Sequence, residues 1–177
     1  MVRKTKIIMK YKHIDGVDVT PIFSDDKKFR YKLEIIKTNP LKSDRKTVCV
    51  IMQNPSYANK NFADKSVQFI EKLIFCKDYE EFKDVYKILV VNQFAYIQTQ
   101  DFKGNDKNIG VDNDRYIKSA INDSDIILIA WGKSNSYYDR QEVINCTLRS
   151  TSNKKMYKTK LHPRVGHYKN FISAYSP

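Results

Sequence analysis

The chain has 177 residues and a formal net charge of +12, a size that fits one domain and a charge that favours polyanionic partners, nucleic acid first among them. Two full domains do not fit this length, and no apolar run approaches the ~20 residues that span a bilayer. Lysines outnumber arginines 25 to 7, as in AT-rich genomes, so codon bias accounts for part of the charge.

The three cysteines, Cys49, Cys76 and Cys146, are far apart and show no Cys-x-x-Cys spacing. Two of them lie in apolar runs, where cysteine acts as a small hydrophobe. This pattern argues for a reducing compartment and against zinc or an iron–sulfur cluster. The basic start, residues 1–12, is not followed by an apolar core of the kind a secretory signal carries. A cytoplasmic monomer without cofactor or metal is expected.

In chain order, residues 6–37 read as β structure around turns. Asp15-Gly16 is a hairpin signal, and Ser24-Asp25-Asp26 marks a second turn before residues 30–36. This N-terminal β meander is expected to cover one sheet edge. Residues 38–44, with Pro40, form a loop. From Arg45 onward, strands alternate with helices. Residues 47–52 form a strand, and residues 64–76 a helix with Val67, Ile70, Leu73 and Ile74 on one stripe and Asp64 as its cap. Residues 77–86 have the composition for a second helical piece, and residues 87–91 are the next strand. A loop through Gly104 and Gly110 leads to a helix over 111–122. A strand over 126–130, a helix over 136–148 and a strand over 155–159 follow, then a tail with helical propensity at 168–174. Such alternation implies right-handed crossovers and a mainly parallel sheet. The expectation is therefore one α/β domain over 1–177: a meander and loop at 1–44, then a three-layer core at 45–177 around four strands.

Each core strand ends on a polar or special residue. Gln53-Asn54-Pro55-Ser56, Asn92, Trp131-Gly132 and His162-Pro163 stand where strands stop. In an open parallel α/β sheet the ligand site lies outside the carboxyl ends of the strands, so one edge gathers Gln53, Asn54, Asn92, Gly132 and His162. Each has a plainer reading. Gln53 to Ser56 suits an ordinary turn, and Asn92 suits a structural tie between loops. Trp131 suits the core, and the segment with Lys158, Lys160, Arg164, His167 and Lys169 suits a solvated basic loop. The functional readings use the same groups differently. The Asn92 carboxamide matches the N–H and C=O edge of a pyrimidine. Gly132 permits close backbone approach, with Lys133, Ser134 and Ser136 as phosphate donors. Neither His162 nor His167 has a partner at metal-ligand spacing, and the glycines fit no nucleotide-binding fingerprint.

These strand ends resemble motifs of the uracil-DNA glycosylase superfamily. Residues 48–55 are similar to its apolar strand ending in Gly-Gln-Asp-Pro or Gly-x-Asn-Pro, which positions the attacking water. Residues 89–92 resemble the strand whose terminal Asn reads the flipped uracil. Residues 127–132 resemble its Leu-Leu-Trp-Gly strand, and residues 159–163 the segment that delivers a His-Pro-Ser loop into the minor groove. The chain is more similar still to a poorly characterised bacterial family marked by Met-x-Asn-Pro-Ser (residues 52–56), Asn-x-Phe-Ala (92–95), Gly-x-x-Asn-Asp (110–114), Ala-Trp-Gly (130–132) and a terminal His-Pro (162–163).

The resemblance implies a uracil-DNA glycosylase-like fold and base flipping for DNA repair, on single-stranded or uracil-containing DNA. It assigns Asn54 and His162 to catalysis. Gln53, Asn92, Ser56 and an aromatic ring, Phe62 or Tyr57, would bind the base. Gly132, Lys133, Ser134, Lys160, Pro163, Arg164 and His167 would bind DNA. There are departures. Met52 replaces a Gly and Asn54 an Asp, Ser56 stands where a Tyr excludes thymine in the strictest branch, and Arg164 replaces the Ser. The expectation is slow hydrolysis of the N-glycosidic bond of uracil. The rivals are a glycosylase-fold protein that binds nucleic acid without cleaving it, and an enzyme acting on a free nucleotide or modified base.

Overall fold

The computed structural model describes residues 11–132 and 137–177. Its described residues form seven strands and three α-helices: β1 (Val17–Phe23), β2 (Arg30–Lys37), β3 (Lys46–Met52), α1 (Lys65–Phe75), β4 (Val85–Asn92), α2 (Asn113–Asn122), β5 (Ile126–Ile129), α3 (Tyr138–Arg149), β6 (Lys155–Thr159) and β7 (Ile172–Ala174). The strands make one mixed sheet in the order β1-β2-β4-β3-β5-β6-β7.

The four expected strands are its parallel centre, β4-β3-β5-β6. β3, β4 and β5 read as apolar runs because both faces are covered, whereas β6 is polar and only partly buried. Val48, Val50, Met52, Val90 and Leu128 pack with Val67, Ile70, Leu73 and Ile74 of α1. The alternate residues Cys49, Ile51, Val91, Ile127 and Ile129 pack with Ile117 and Ile121 of α2 and Ile144 and Leu148 of α3. The period-2 alternation of a strand therefore assigns one helix to one face and two to the other. Each large aliphatic side chain buried this way contributes about 1.5–3 kcal/mol.

The N-terminal strands do more than pad an edge. β2 pairs antiparallel with β4 and β1 with β2; with β7 on the opposite edge, the sheet has seven strands rather than four. The hairpin turn is the second of the two expected. The Ser24 hydroxyl donates to Asp26 at 2.7 Å, Asp26 accepts from the Lys28 amide at 3.1 Å, and Lys27 takes a positive φ of 56°. Asp15-Gly16 turns the chain into β1, and the Gly16 carbonyl accepts from the Thr38 amide; the β structure expected at 6–10 lies outside the described residues.

Two helical expectations are overturned. Residues 77–86 supply only a 3-10 turn, Glu80–Phe82, because β4 already starts at Val85. The tail forms a 3-10 turn at Pro163–Val165 and then β7, which pairs antiparallel with β6 (Thr159 opposite Ile172). The open edge of β6 and the fully buried Phe171, packed edge-on against Phe69, outweigh local helical propensity. Cys76 is exposed rather than apolar-packed, since α1 ends beside it. No described helix is long and apolar enough to cross a membrane.

The ladders bring the strand ends level. Met52 pairs with Asn92, Ile51 with Ile129, and Ile129 with Lys158. The chain leaves β3 for β4 on one side and later returns to place β5 on the other. The order therefore reverses at β3, the position where open α/β sheets form a crevice beyond their carboxyl ends.

Candidate functional site

The loop from β3 to α1 carries the first motif. Beyond Met52 the chain stays paired with the extension of β4: the Met52 carbonyl accepts from the Gln93 amide at 2.8 Å, and the Gln53 carbonyl from the Phe94 amide at 3.0 Å. The Asn54 side-chain nitrogen donates to the Gln98 carbonyl at 2.6 Å and to the Pro55 carbonyl at 3.3 Å. Its Oδ1 meets only the side-chain Nε2 of Gln53, at 3.5 Å, beyond a normal hydrogen bond. Asn54 thus clasps two loops through its nitrogen and keeps acceptor capacity on its oxygen. Pro55 is buried and Ser56 half-buried. Met52 is 2% exposed and packs in the core on the α1 face. The Phe62 ring, 37% exposed, follows a turn closed by Asn59, and Tyr57 is more exposed at 57%.

Asn92 ends β4. It is 1% exposed, and neither side-chain atom has a hydrogen-bond partner. Among the described residues, the buried side-chain polar atoms lacking partners belong to four residues: Arg30, Asn92, Gln93 and Asn113. All four surround one place, the carboxyl end of β4. The Asn113 nitrogen donates to the carbonyls of Asn92 and Gln93, both at 3.0 Å, and the Arg30 backbone amide donates to the Ala95 carbonyl at 2.9 Å. A buried polar group left unpaired costs about 1–3 kcal/mol, so several gathered at one strand end make it the candidate site. No sequence signal singles out Arg30 or Gln93, whereas Asn113 is the Asn of the Gly-x-x-Asn-Asp motif (110–114); the fold brings all three there.

Arg140 of α3 and Asp114 of α2 brace this end. Arg140 is buried, donates from Nε to the Gln93 carbonyl at 2.7 Å, and pairs through Nη2 with Asp114. They border a cleft of about 500 Å3 lined also by Phe94, Tyr137 and Val143. A larger, shallower cleft of about 660 Å3 lies at the β1–β2 turn, with Phe29, Tyr31, Lys107 and Val111. Neither cleft is lined by Asn54, Asn92 or His162.

Trp131 is buried with the α2/α3 cluster, a core residue. Gly132, at φ 86°, runs against His162. Lys133, Ser134 and Ser136 lie outside the described residues. His162 opens the turn Pro163–Val165, which packs on α1, and Pro163 is buried. His162 Nδ1 accepts from the Arg164 amide at 3.2 Å. A neutral imidazole with an accepting Nδ1 carries its proton on Nε2. Burial holds the His162 pKa below its ordinary value; the Asp64 carboxylate counteracts this and Arg164 adds to it. His162 is thus a neutral ring with an Nε2–H donor at neutral pH. Asp64 caps α1 by accepting from the Val67 amide at 2.8 Å, and its charge also acts on Arg30.

The structure therefore brings Gly132 to His162, Gln53 and Asn54 to the β4 extension, and Met52 level with Asn92. Lys160, Arg164 and His167 are exposed; His167 packs edge-on against Phe171 with ring centres 5.3 Å apart. Among the described residues no group of three or more His, Cys, Asp or Glu could hold a metal ion.

A model of a protein family of unknown function, DUF1643, matches residues 30–168, a span that runs from Arg30 past His162. Neither the curated proteins nor the solved structures contain a match to the chain.

Proposed function

We propose that this chain, which belongs to the DUF1643 family, is a uracil-DNA glycosylase-like protein that takes an unpaired pyrimidine into the carboxyl end of its sheet and slowly hydrolyses the N-glycosidic bond. One observation carries the reading: the Asn92 carboxamide is buried with donor and acceptor both unpartnered. That pair complements the adjacent N–H and C=O of a uracil edge. A neutral His162 supplies its Nε2–H to the base oxygen on which charge develops. Asn54, its nitrogen held by the Gln98 carbonyl, keeps Oδ1 to accept from a water. In the reaction that water adds to the anomeric carbon, the C–N bond breaks with its electron pair on the base, and the water's proton ends on the departing base. Preorganised donors at developing charge are typically worth ~10²–10³ in rate. Asn54 brings no carboxylate charge against the cationic sugar, so slow turnover is expected. Single strands and mismatches serve best, because less stacking is lost on flipping. The substrate strand follows the exposed Lys160 and Arg164, with Gly132, Pro163 and His167 in the same contact region and Phe62 or Tyr57 as the stacking ring.

The second reading is binding without cleavage, favoured by the same Asn54 clasp, which serves structure as well as chemistry. The two share a test. A single-stranded oligonucleotide with one uracil is compared with the same strand carrying cytosine, on wild type and Asn92→Leu. A uracil preference that Asn92→Leu abolishes supports base reading; equal binding of the two strands by wild type contradicts it.

A further inference from the structure

Arg30 is 0% exposed, and burial draws its pKa down to about 10, with Asp64 opposing. It therefore remains charged at neutral pH. Of its five N–H donors, Nη1 reaches the Ala58 carbonyl at 2.9 Å, while Nε and Nη2 have no partner. Arg30 enters no ion pair among the described residues. An uncompensated buried charge costs several kcal/mol. Nε and Nη2 together form the side-on edge of the guanidinium, the fork that holds two oxygens of a carboxylate or phosphate at once.

The position of the fork is as informative as its vacancy. Leu33 of β2 pairs with Val90 of β4, so running back along β2 from Leu33 leads past the end of β4, where the Arg30 amide meets Ala95. The guanidinium is pinned to Ala58, in the loop that also carries Asn54, Phe62 and Asp64. The vacant edge thus lies between that loop and the strand end that bears Asn92.

The geometry points to Arg30 as an anion receptor inside the site: its Nε/Nη2 edge takes an oxyanion carried by the same ligand whose amide edge Asn92 reads. This rests on the base-reading proposal and sharpens it, because the ligand must then be a pyrimidine with negative charge on its own oxygens or one with a phosphate attached. In the first case Arg30 neutralises the base as it departs, and its side chain touches the leaving group.

The test is titration calorimetry on the full chain with three probes: uracil, which is neutral; barbiturate, a planar pyrimidine anion; and inorganic phosphate. Wild type is expected to bind barbiturate about tenfold or more tightly than uracil, the effect of one charged hydrogen-bonded pair. Arg30→Met, which removes a buried charge at similar volume, is expected to lose that preference and keep uracil binding. Phosphate binding that Arg30→Met abolishes, without any pyrimidine binding, leaves the anion receptor standing and removes the base reading of Asn92. Equal wild-type affinity for uracil and barbiturate, with no phosphate binding that depends on Arg30, overturns the role of Arg30 and leaves base reading intact. Binding of neither anion, or anion binding that survives Arg30→Met, overturns the proposal. Should Arg30→Met not fold, the wild-type comparison of barbiturate with uracil decides in the same sense, and Arg30→Lys, which keeps charge without the fork, is expected to fall between.

Discussion

Gly132 and His162 are in backbone contact: a Cβ built on Gly132 would stand 3.2 Å from the His162 Cβ and 3.4 Å from its amide nitrogen. The positive φ of Gly132 and this approach together set Gly132 against the backbone and Cβ of His162. Gly132→Ala meets both obstacles at once. It is expected to destabilise the fold by about 1–3 kcal/mol and to displace His162. Thermal unfolding and the His162 ring resonances would record both effects. An unshifted melting temperature with unmoved resonances would mean that the contact is slack.

The two described histidines that face carboxylates titrate with opposite signs. His13 is partly desolvated, which lowers its pKa, but its 2.5 Å contact to Glu71 and its bond to the Asn59 carbonyl more than compensate, and the net shift is upward. Its contribution to stability is complete below the ordinary value of 6.5 and disappears as pH rises through the raised folded value. The His162 pKa is lowered, chiefly by burial, so its contribution is complete above 6.5 and declines as pH falls. Denaturant unfolding across pH 5–8 should therefore lose its alkaline decline in His13→Gln and its acid decline in His162→Gln. A reversal of either sign would contradict these environments.

The thiols divide by location. Cys49 is fully buried in the centre of β3, and burial raises its pKa far above the ordinary range, whereas Cys76 and Cys146 are exposed. Titration with an aromatic disulfide reagent should find two thiols that react quickly in the native protein and a third only after denaturation. Three fast thiols would place Cys49 at an accessible position and refute the strand register.

If nucleic acid follows the His162 turn, Lys160 and Arg164 neutralise phosphates there. Each phosphate neutralised adds about −0.7 to the log–log salt slope for a single strand. Lys160→Glu with Arg164→Glu should flatten the slope measured by fluorescence anisotropy. An unchanged slope and affinity would move the strand elsewhere on the surface.

The centre of the parallel core was readable because β3, β4 and β5 are apolar runs buried on both faces, and α1 because Asp64 caps a clear apolar stripe. Chain edges were not. Whether residues 168–174 coil or extend depends on the open edge of β6 and on a socket for Phe171 built by Phe69 of α1, both remote in sequence. The strand-end logic brought Asn54, Asn92, Gly132 and His162 to one end of the sheet. It could not find Arg30, whose buried guanidinium meets the Ala58 carbonyl of a loop some thirty positions later in the chain. Nor could it foresee that the Asn54 nitrogen is occupied by the Gln98 carbonyl, a contact made by the path of the β4 extension.

The most direct measurement is base release at stoichiometric protein from a single-stranded oligonucleotide with one uracil, developed with alkali to cut at abasic sites. The account predicts slow cleavage at the uracil position, reduced ~10-fold or more in Asn54→Ala and in His162→Ala with little change in binding. Cleavage that persists in the Asn54/His162 double variant, or wild-type protein that binds the strand and releases no base, would contradict it.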